Sequence, residues 1–199
     1  RHPQQADGAV YFMIINYVLG QAGSGKSTFI TRVFPKEDNI VFNVGEVLRS
    51  SFSCLKKKQT NKNVWSFANP LVYSMFKHHC KVARDYEIPL VTDGLPRNSK
   101  QLMVTHRYLT TWSHKTQVIV NVNCLHINRE EQIRRITERN GNGSISEYQL
   151  DRIEQSREDL DGTITALGIL RESESKHKIS YKLNWYSQHD GHFHLERSL

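Results

Sequence analysis

The sequence is poor in the residues that staple or anchor a chain. It has three cysteines in 199 residues, Cys54, Cys80 and Cys124. Their number is odd and no CxxC spacing occurs, which argues against a disulfide framework or a zinc site and suits a reducing intracellular compartment, cytoplasm or organelle matrix. No apolar run is long enough to cross a bilayer; the strongest, Val10 to Leu19, is short and interrupted by Asn16. No secretory signal, internal repeat or low-complexity tract is visible. The chain begins with Arg, not Met, which points to a processed product or a piece of a longer protein. Acidic residues are in the minority, at 20 against 27 Lys and Arg, giving a formal charge of +7. That balance favours polyanionic partners, either phosphate-rich small molecules or nucleic acid, although no motif names a nucleic acid and a merely solvated basic surface fits equally.

What is present reads as one α/β domain. Tyr11–Leu19 is apolar, aromatic and β-branched and stops at Gly20, as a buried strand of a parallel sheet would. Helices are predicted over Lys26–Val33, Glu46–Leu55, Leu71–Tyr86, Ser99–Leu109 with Ser99 as its cap, Asn128–Arg139 and Ser146–Leu160. Further strands are predicted over Ile40–Val44, Pro89–Asp93, Gln117–Leu125 and Ile179–Leu183. Lys56–Lys62 reads as an exposed loop and Asn140–Gly143 as a flexible break. Strands alternating with helices at this spacing give a three-layer sandwich around a central parallel sheet of about five strands. Ligands of such sheets sit at the carboxyl ends of the strands. His189, His192 and His194 read as a polar, partly disordered tail, and His78-His79-Cys80 as packing and surface. Trp65 and Phe67 read as packing of the segment they belong to.

Gly20-Gln21-Ala22-Gly23-Ser24-Gly25-Lys26-Ser27 has the spacing of a Walker A loop, between a strand and a helix as that motif demands. Its glycines let backbone N–H groups close on an anion, and the helix adds its positive end. Gly20, Gly23, Ser24, Gly25, Lys26, Ser27 and Thr28 are the nucleotide-binding candidates. Lys26 is placed to reach the β- and γ-phosphates, and Ser27 to ligate Mg²⁺. ATP and Mg²⁺ are therefore the expected ligands of a P-loop NTPase.

Three more segments, in collinear order over roughly Val10–Leu160, resemble the adenylate kinase-like nucleoside monophosphate kinases. Val44-Gly45-Glu46-Val47-Leu48-Arg49 is similar to that family's TGDxLR. Asp93-Gly94-Leu95-Pro96-Arg97 with Gln101 is similar to DGFPRxxxQ. Arg135 and Arg139 are similar to the RxxxR that opens its lid. The resemblance implies a single P-loop kinase-like domain over 1–199, with an acceptor-binding segment at about 46–88 and a short lid at about 135–152. It implies transfer of the γ-phosphate of ATP to a nucleoside monophosphate. Lys26, Asp93, Arg97, Arg135 and Arg139 would be the catalytic set. Gly45, Arg49, Gly94, Arg97, Gln101 and Arg152 would hold the acceptor, and Ser27 with Asp93 (through water) would hold Mg²⁺. The chain departs from the pattern at three places. Val44 stands where a Thr is usual, Glu46 replaces Asp, and Asn140-Gly-Asn-Gly-Ser-Ile145 replaces the lid's RxDD. Two other readings follow: a P-loop kinase of a polynucleotide 5′ end or another small hydroxyl, with Asp93 as base, and a kinase-derived nucleotide-binding module with little or no turnover in a larger assembly, RNA-containing or not.

Overall fold

The computed structural model describes residues 11–51, 62–114, 116–141, 143–172, 178–189 and 192–199. The order of elements is β1 (Tyr11–Gly20), α1 (Lys26–Val33), β2 (Ile40–Asn43), α2 (Val44–Ser51), α3 (Lys62–Tyr86), β3 (Leu90–Asp93) and α4 (Ser99–Thr110). Then follow β4 (Thr116–Leu125), α5 (Arg129–Asn140), α6 (Glu147–Glu172), β5 (Ile179–His189) and β6 (His192–Ser198). The sheet runs β2-β3-β1-β4-β5-β6. The first five strands are parallel, and β6 adds an antiparallel edge. This is a P-loop NTPase-like three-layer sandwich.

Strand alternation explains the layers. Met13, Ile15, Tyr17 and Leu19 of β1, with Val118, Val120 and Val122 of β4, are buried in the larger core beneath α3, α4 and α6. The opposite face carries a smaller core of Val18, Phe29, Ile30, Val91 and Leu125 beneath α1. That second face is incompletely covered. Phe12 is 53% exposed and Ile14 37%, so β1 is buried on both faces only in its second half.

Several boundaries differ from expectation. α3 starts at Lys62 and contains Pro70, so part of the predicted 56–62 loop is helical; residues 52–61, including Leu55, and the side chains of Trp65 and Phe67 lie outside the described set. The cap of α4 is Asn98, whose side chain accepts from Gln101 N–H at 3.0 Å, not Ser99. α6 continues past Leu160 to Glu172, burying Thr163, Leu167 and Leu170. The histidines at the C-terminus do not form a disordered tail. His189 closes β5, and His192 and His194 lie in β6.

Cys80 and Cys124 are free and buried. Burial pushes both thiols up, Cys124 to about 12, so neither is a thiolate at neutral pH. Among the described residues no helix is long and apolar enough to cross a membrane.

Candidate active site

The parallel register sets the site. Asn43 at the end of β2 pairs with Asp93 at the end of β3, and Asp93 pairs with Val18 of β1. Three strand ends therefore lie side by side where β1 passes into the glycine-rich loop, at the carboxyl edge of the sheet.

The loop has the backbone its sequence demands. Gly20, Gly23 and Gly25 have φ of 157°, 78° and 85°. A Cβ on Gly20 would lie 2.5 Å from Ser24 Oγ and 2.9 Å from the Leu125 carbonyl, so a side chain there would fill the cradle. α1 starts without a side-chain cap and without an acidic residue in its first turn. Its first N–H groups are thus left for an outside acceptor, and its dipole is uncompensated. Among the described residues, Ser24 Oγ is buried with no hydrogen-bond partner. These features fit a bound phosphate.

Lys26 lies over this loop. Its Nζ donates to Gly20 O at 2.7 Å and Gln21 O at 2.9 Å. Desolvation lowers Lys26 to about 8; Asp93 opposes this, while the Arg97 and Arg139 charges add to it. Ser27 Oγ donates to Asp93 Oδ2 at 3.0 Å, and Asn43 Nδ2 donates to the same oxygen at 3.0 Å. Asn43 also receives the Glu46 N–H at 2.9 Å, tying α2 to the strand ends. A hydroxyl beside a carboxylate suits a hard, oxygen-loving cation. No cluster of three or more His, Cys, Asp or Glu occurs among the described residues, so such a cation would take its other ligands from phosphate and water, as Mg²⁺ commonly does.

Lys26, Ser27 and Asp93 open into one cleft of about 680 Å³, which Arg49, Arg97 and Arg152 also line. Arg97 is held by its Nε donating to Gly94 O at 3.1 Å. Desolvation, then the neighbouring Arg152 charge, lowers Arg97 from its ordinary value, with Asp93 opposing. Two guanidiniums from α4's approach and α6 are thus brought within each other's field. Arg49 folds back over Gly45: a Cβ there would be 3.2 Å from Arg49 Nη1. Gln101 lines the cleft, and its Oε1 accepts the Arg97 N–H at 2.8 Å. Thr28 points to solvent. Val44 is buried at 2% exposure and packs in the main core, whereas Glu46 is exposed and is not among the residues lining the cleft.

The segment expected to form the lid includes the end of α5 and the start of α6. Gly141 ends α5 in the left-handed region. Asn140 and Gln149 exchange side-chain hydrogen bonds at 3.2 and 3.1 Å across residues 141–146, and Ser146 caps α6 through Gln149 N–H at 3.3 Å. Arg135 meets the loop, its Nη1 3.4 Å from Gly23 O. Arg139 is exposed and makes no ion pair among the described residues, although its charge is felt at Lys26. The acidic neighbours are taken mainly by Arg134, which pairs with Glu131 and Glu138.

Sequence reasoning missed the braces around the loop. Ala22 N–H donates to Ser156 Oγ of α6 at 3.3 Å, and Gln132 Nε2 reaches the same oxygen at 3.3 Å. Gln21 Oε1 accepts the Ile127 N–H at 3.2 Å. Gln188 of β5 accepts from Arg135 Nη1 at 2.7 Å. These partners lie far away in sequence, and of the bracing side chains only that of Gln21 sits in the motif itself.

No protein-family model and no curated protein matches the sequence. Among solved structures, the chain is similar to one in the Pnkp1/Rnl/Hen1 RNA repair complex, at 17% identity and a TM-score of 0.56, over 81% of this chain and 48% of that one. It is also similar to a chain of the PezAT chromosomal toxin–antitoxin system of Streptococcus pneumoniae, at 16% identity and a TM-score of 0.57, over 96% of this chain and 74% of that one. The chain thus spans about half the length of the RNA-repair chain it matches. At these identities the likeness concerns architecture alone: the chain has the three-layer α/β sandwich fold of P-loop NTPases.

Proposed function

We propose that this chain is a phosphotransferase that moves the γ-phosphate of ATP onto the phosphate of a nucleoside monophosphate. One observation carries the reading: a single cleft has Lys26, Ser27 and Asp93 at its loop end and Arg49, Arg97 and Arg152 along its other walls. An acceptor that is already an anion needs alignment and charge neutralisation more than a strong base. Guanidinium forks suit that task because they grip phosphate oxygens in pairs. Lys26 spends two of its three N–H donors on loop carbonyls, so the third would meet a phosphate of the donor. Arg49, Arg97 and Arg152 would hold the acceptor's phosphate. Gln101 spends its Oε1 on the Arg97 backbone and would offer its side-chain NH₂ to the acceptor's base. Arg135 and Arg139 would cover the donor from α5. Ser27, and Asp93 through water, would hold Mg²⁺, which would neutralise charge between the β- and γ-phosphates.

A second reading has its own support. One similar fold belongs to an RNA repair complex, and among the described residues Ser27 and Asn43 both donate to Asp93 Oδ2. Oδ1 would then serve as base to a 5′-hydroxyl of RNA. Labelled ATP offered to a panel of nucleoside monophosphates and to 5′-hydroxyl RNA separates the two. The expected result is transfer to at least one monophosphate, lost in Lys26→Ala and Arg97→Ala. Transfer confined to RNA would refute the proposal, and tight ATP binding with no transfer would mark a kinase-derived binding module.

A further inference from the structure

The C-terminal hairpin reaches the phosphate loop from the far side of the sheet. β5 pairs with β4 up to Leu125↔Tyr186, and Gln188 stands two residues further on, on the same side of the strand as Tyr186. Phe193 of β6 pairs directly with Gln188. The rings of Tyr186 and Phe193 pack edge-on against Phe29 of α1, with centroids 4.8 and 5.1 Å away. Phe29 is fully buried. The hairpin is thereby clamped to the first turn of the helix that leaves the loop. A Cβ on Gly25 would lie 3.4 Å from Gln188 Oε1, 3.5 Å from Phe193 Cζ and 3.9 Å from Arg135 Nη1. Three side chains from three elements, α5, β5 and β6, converge on the last glycine of the loop.

Among them, Gln188 and Arg135 are bonded. Arg135 Nη1 donates to Gln188 Oε1 at 2.7 Å, and the same nitrogen is 3.4 Å from Gly23 O. Arg135 Nε donates to Glu131 Oε1 at 2.6 Å. A planar guanidinium fixed at two corners has a fixed plane. Glu131 shares its carboxylate between Arg135 and Arg134, which reaches both of its oxygens at 2.6 Å. The Glu131 bond also ties Arg135 only to its own helix. Gln188 is the short tie that draws the guanidinium across to the sheet.

We propose that Gln188 is a positioning residue that holds Arg135 over the phosphate loop in the orientation that meets a nucleoside triphosphate. The proposal rests on the reading of Arg135 as a donor-side residue. Gln188 acts through Arg135 and touches no reacting atom.

The test compares Gln188→Met, which keeps length and removes the acceptor, with Gln188→Glu, which keeps an acceptor oxygen. Binding of the N-methylanthraniloyl derivative of ATP with Mg²⁺ is titrated by fluorescence on the full chain. Steady-state rates then give KM for each substrate. In Gln188→Met the Kd and the KM for ATP rise about tenfold, the acceptor KM moves less than about twofold, and the thermal midpoint is held. Gln188→Glu returns the Kd to within about threefold of the parent. Arg135→Met loses a similar factor, and adding Gln188→Met to it loses no more. Parent-like binding by Gln188→Met, full additivity of the pair, or no recovery with Gln188→Glu each overturns the proposal. A parent chain that binds ATP but transfers to no acceptor sinks the transferase reading while the binding comparison still decides the role of Gln188. A parent chain with no affinity for ATP overturns both.

Discussion

Lys26 offers a perturbation that needs no mutation. Desolvation over the loop lowers it to about 8, against about 10.4 for an exposed lysine. Triphosphate oxygens at the loop would stabilise the ammonium and raise its pKa in the complex. If only the protonated form binds, affinity falls with the protonated fraction of the free protein. At pH 9.5 that fraction is about 1 in 30, so the Kd for ATP should rise about 30-fold from its value at pH 7. With a second phosphate pKa of about 6, about nine-tenths of ATP is fully ionised at pH 7 and nearly all of it above pH 8, so its phosphates add little to the slope. Calorimetric titration at pH 9.5 in two buffers of different ionisation enthalpy should count about one proton taken up on binding. Lys26→Met should bind weakly at every pH in this window, with neither slope nor uptake. The same group has an opposite signature in stability. Its folded value lies below its unfolded one, so the unfolded chain holds more protons between about pH 8 and pH 10. The cost of burying this charge is fully present below pH 8 and is relieved as pH rises through that window. A Kd that is flat from pH 8 to 10 with no proton uptake would refute the account of Lys26.

Two substitutions test the geometry on either side of the loop. Gly94 has φ 84°, and a Cβ there would lie 3.3 Å from Arg97 Nη2 and 3.4 Å from its Nε. Gly94→Ala should cost about 1–2 kcal/mol in backbone strain, read from urea unfolding. It should also raise the acceptor KM while sparing the Kd for ATP; parent-like values of both would refute the placement. Phe29→Leu keeps an apolar side chain but gives up edge contacts to Phe34, Tyr186 and Phe193. At about 0.5–1.5 kcal/mol for each aromatic pair, it should destabilise the chain by about 2–4 kcal/mol. A loss under about 1 kcal/mol would show that the hairpin is not clamped through this ring.

Much of the fold was legible because its signals are local. The glycines of 20–25 sit where positive φ is required, and spacing alone identifies them. Asp93 and Arg97 fall on a strand end and the following turn, so their facing the loop follows from parallel topology. The full length of α6 was hidden. Gly162 and Gly168 interrupt the pattern, yet both are exposed with open space around them, so each costs only about 1 kcal/mol in propensity. Thr163, Leu167 and Leu170 bury the face that continues the helix. β6 was hidden for the reason edge strands usually are. Its side chains are exposed apart from half-buried Phe193, so no apolar alternation marks it. The braces Ser156, Gln132 and Gln188 are polar residues whose meaning depends on partners far along the chain, and no local pattern predicts such pairs.

Those braces bear on how the glycine-rich loop is held in shape. A cradle that must close on charged oxygens works best if its dipoles are already aimed, since reorganisation during the reaction is a cost. Here the first half of the loop is held from the β4–α6 side, by Ile127 on Gln21 and by Ser156 on Ala22. The second half is held from the hairpin side, by Gln188 and Phe193 crowding Gly25 and by Phe29 locking α1. Arg135 bridges the two halves, touching Gly23 and Gln188 with one nitrogen. Each hydrogen bond is worth about 1 kcal/mol, too little to matter singly for stability. Together they fix the backbone on both sides of the anion position. The glycine-rich loop is thus held from two sides, by α6 and by the C-terminal hairpin, through residues that no local pattern marks.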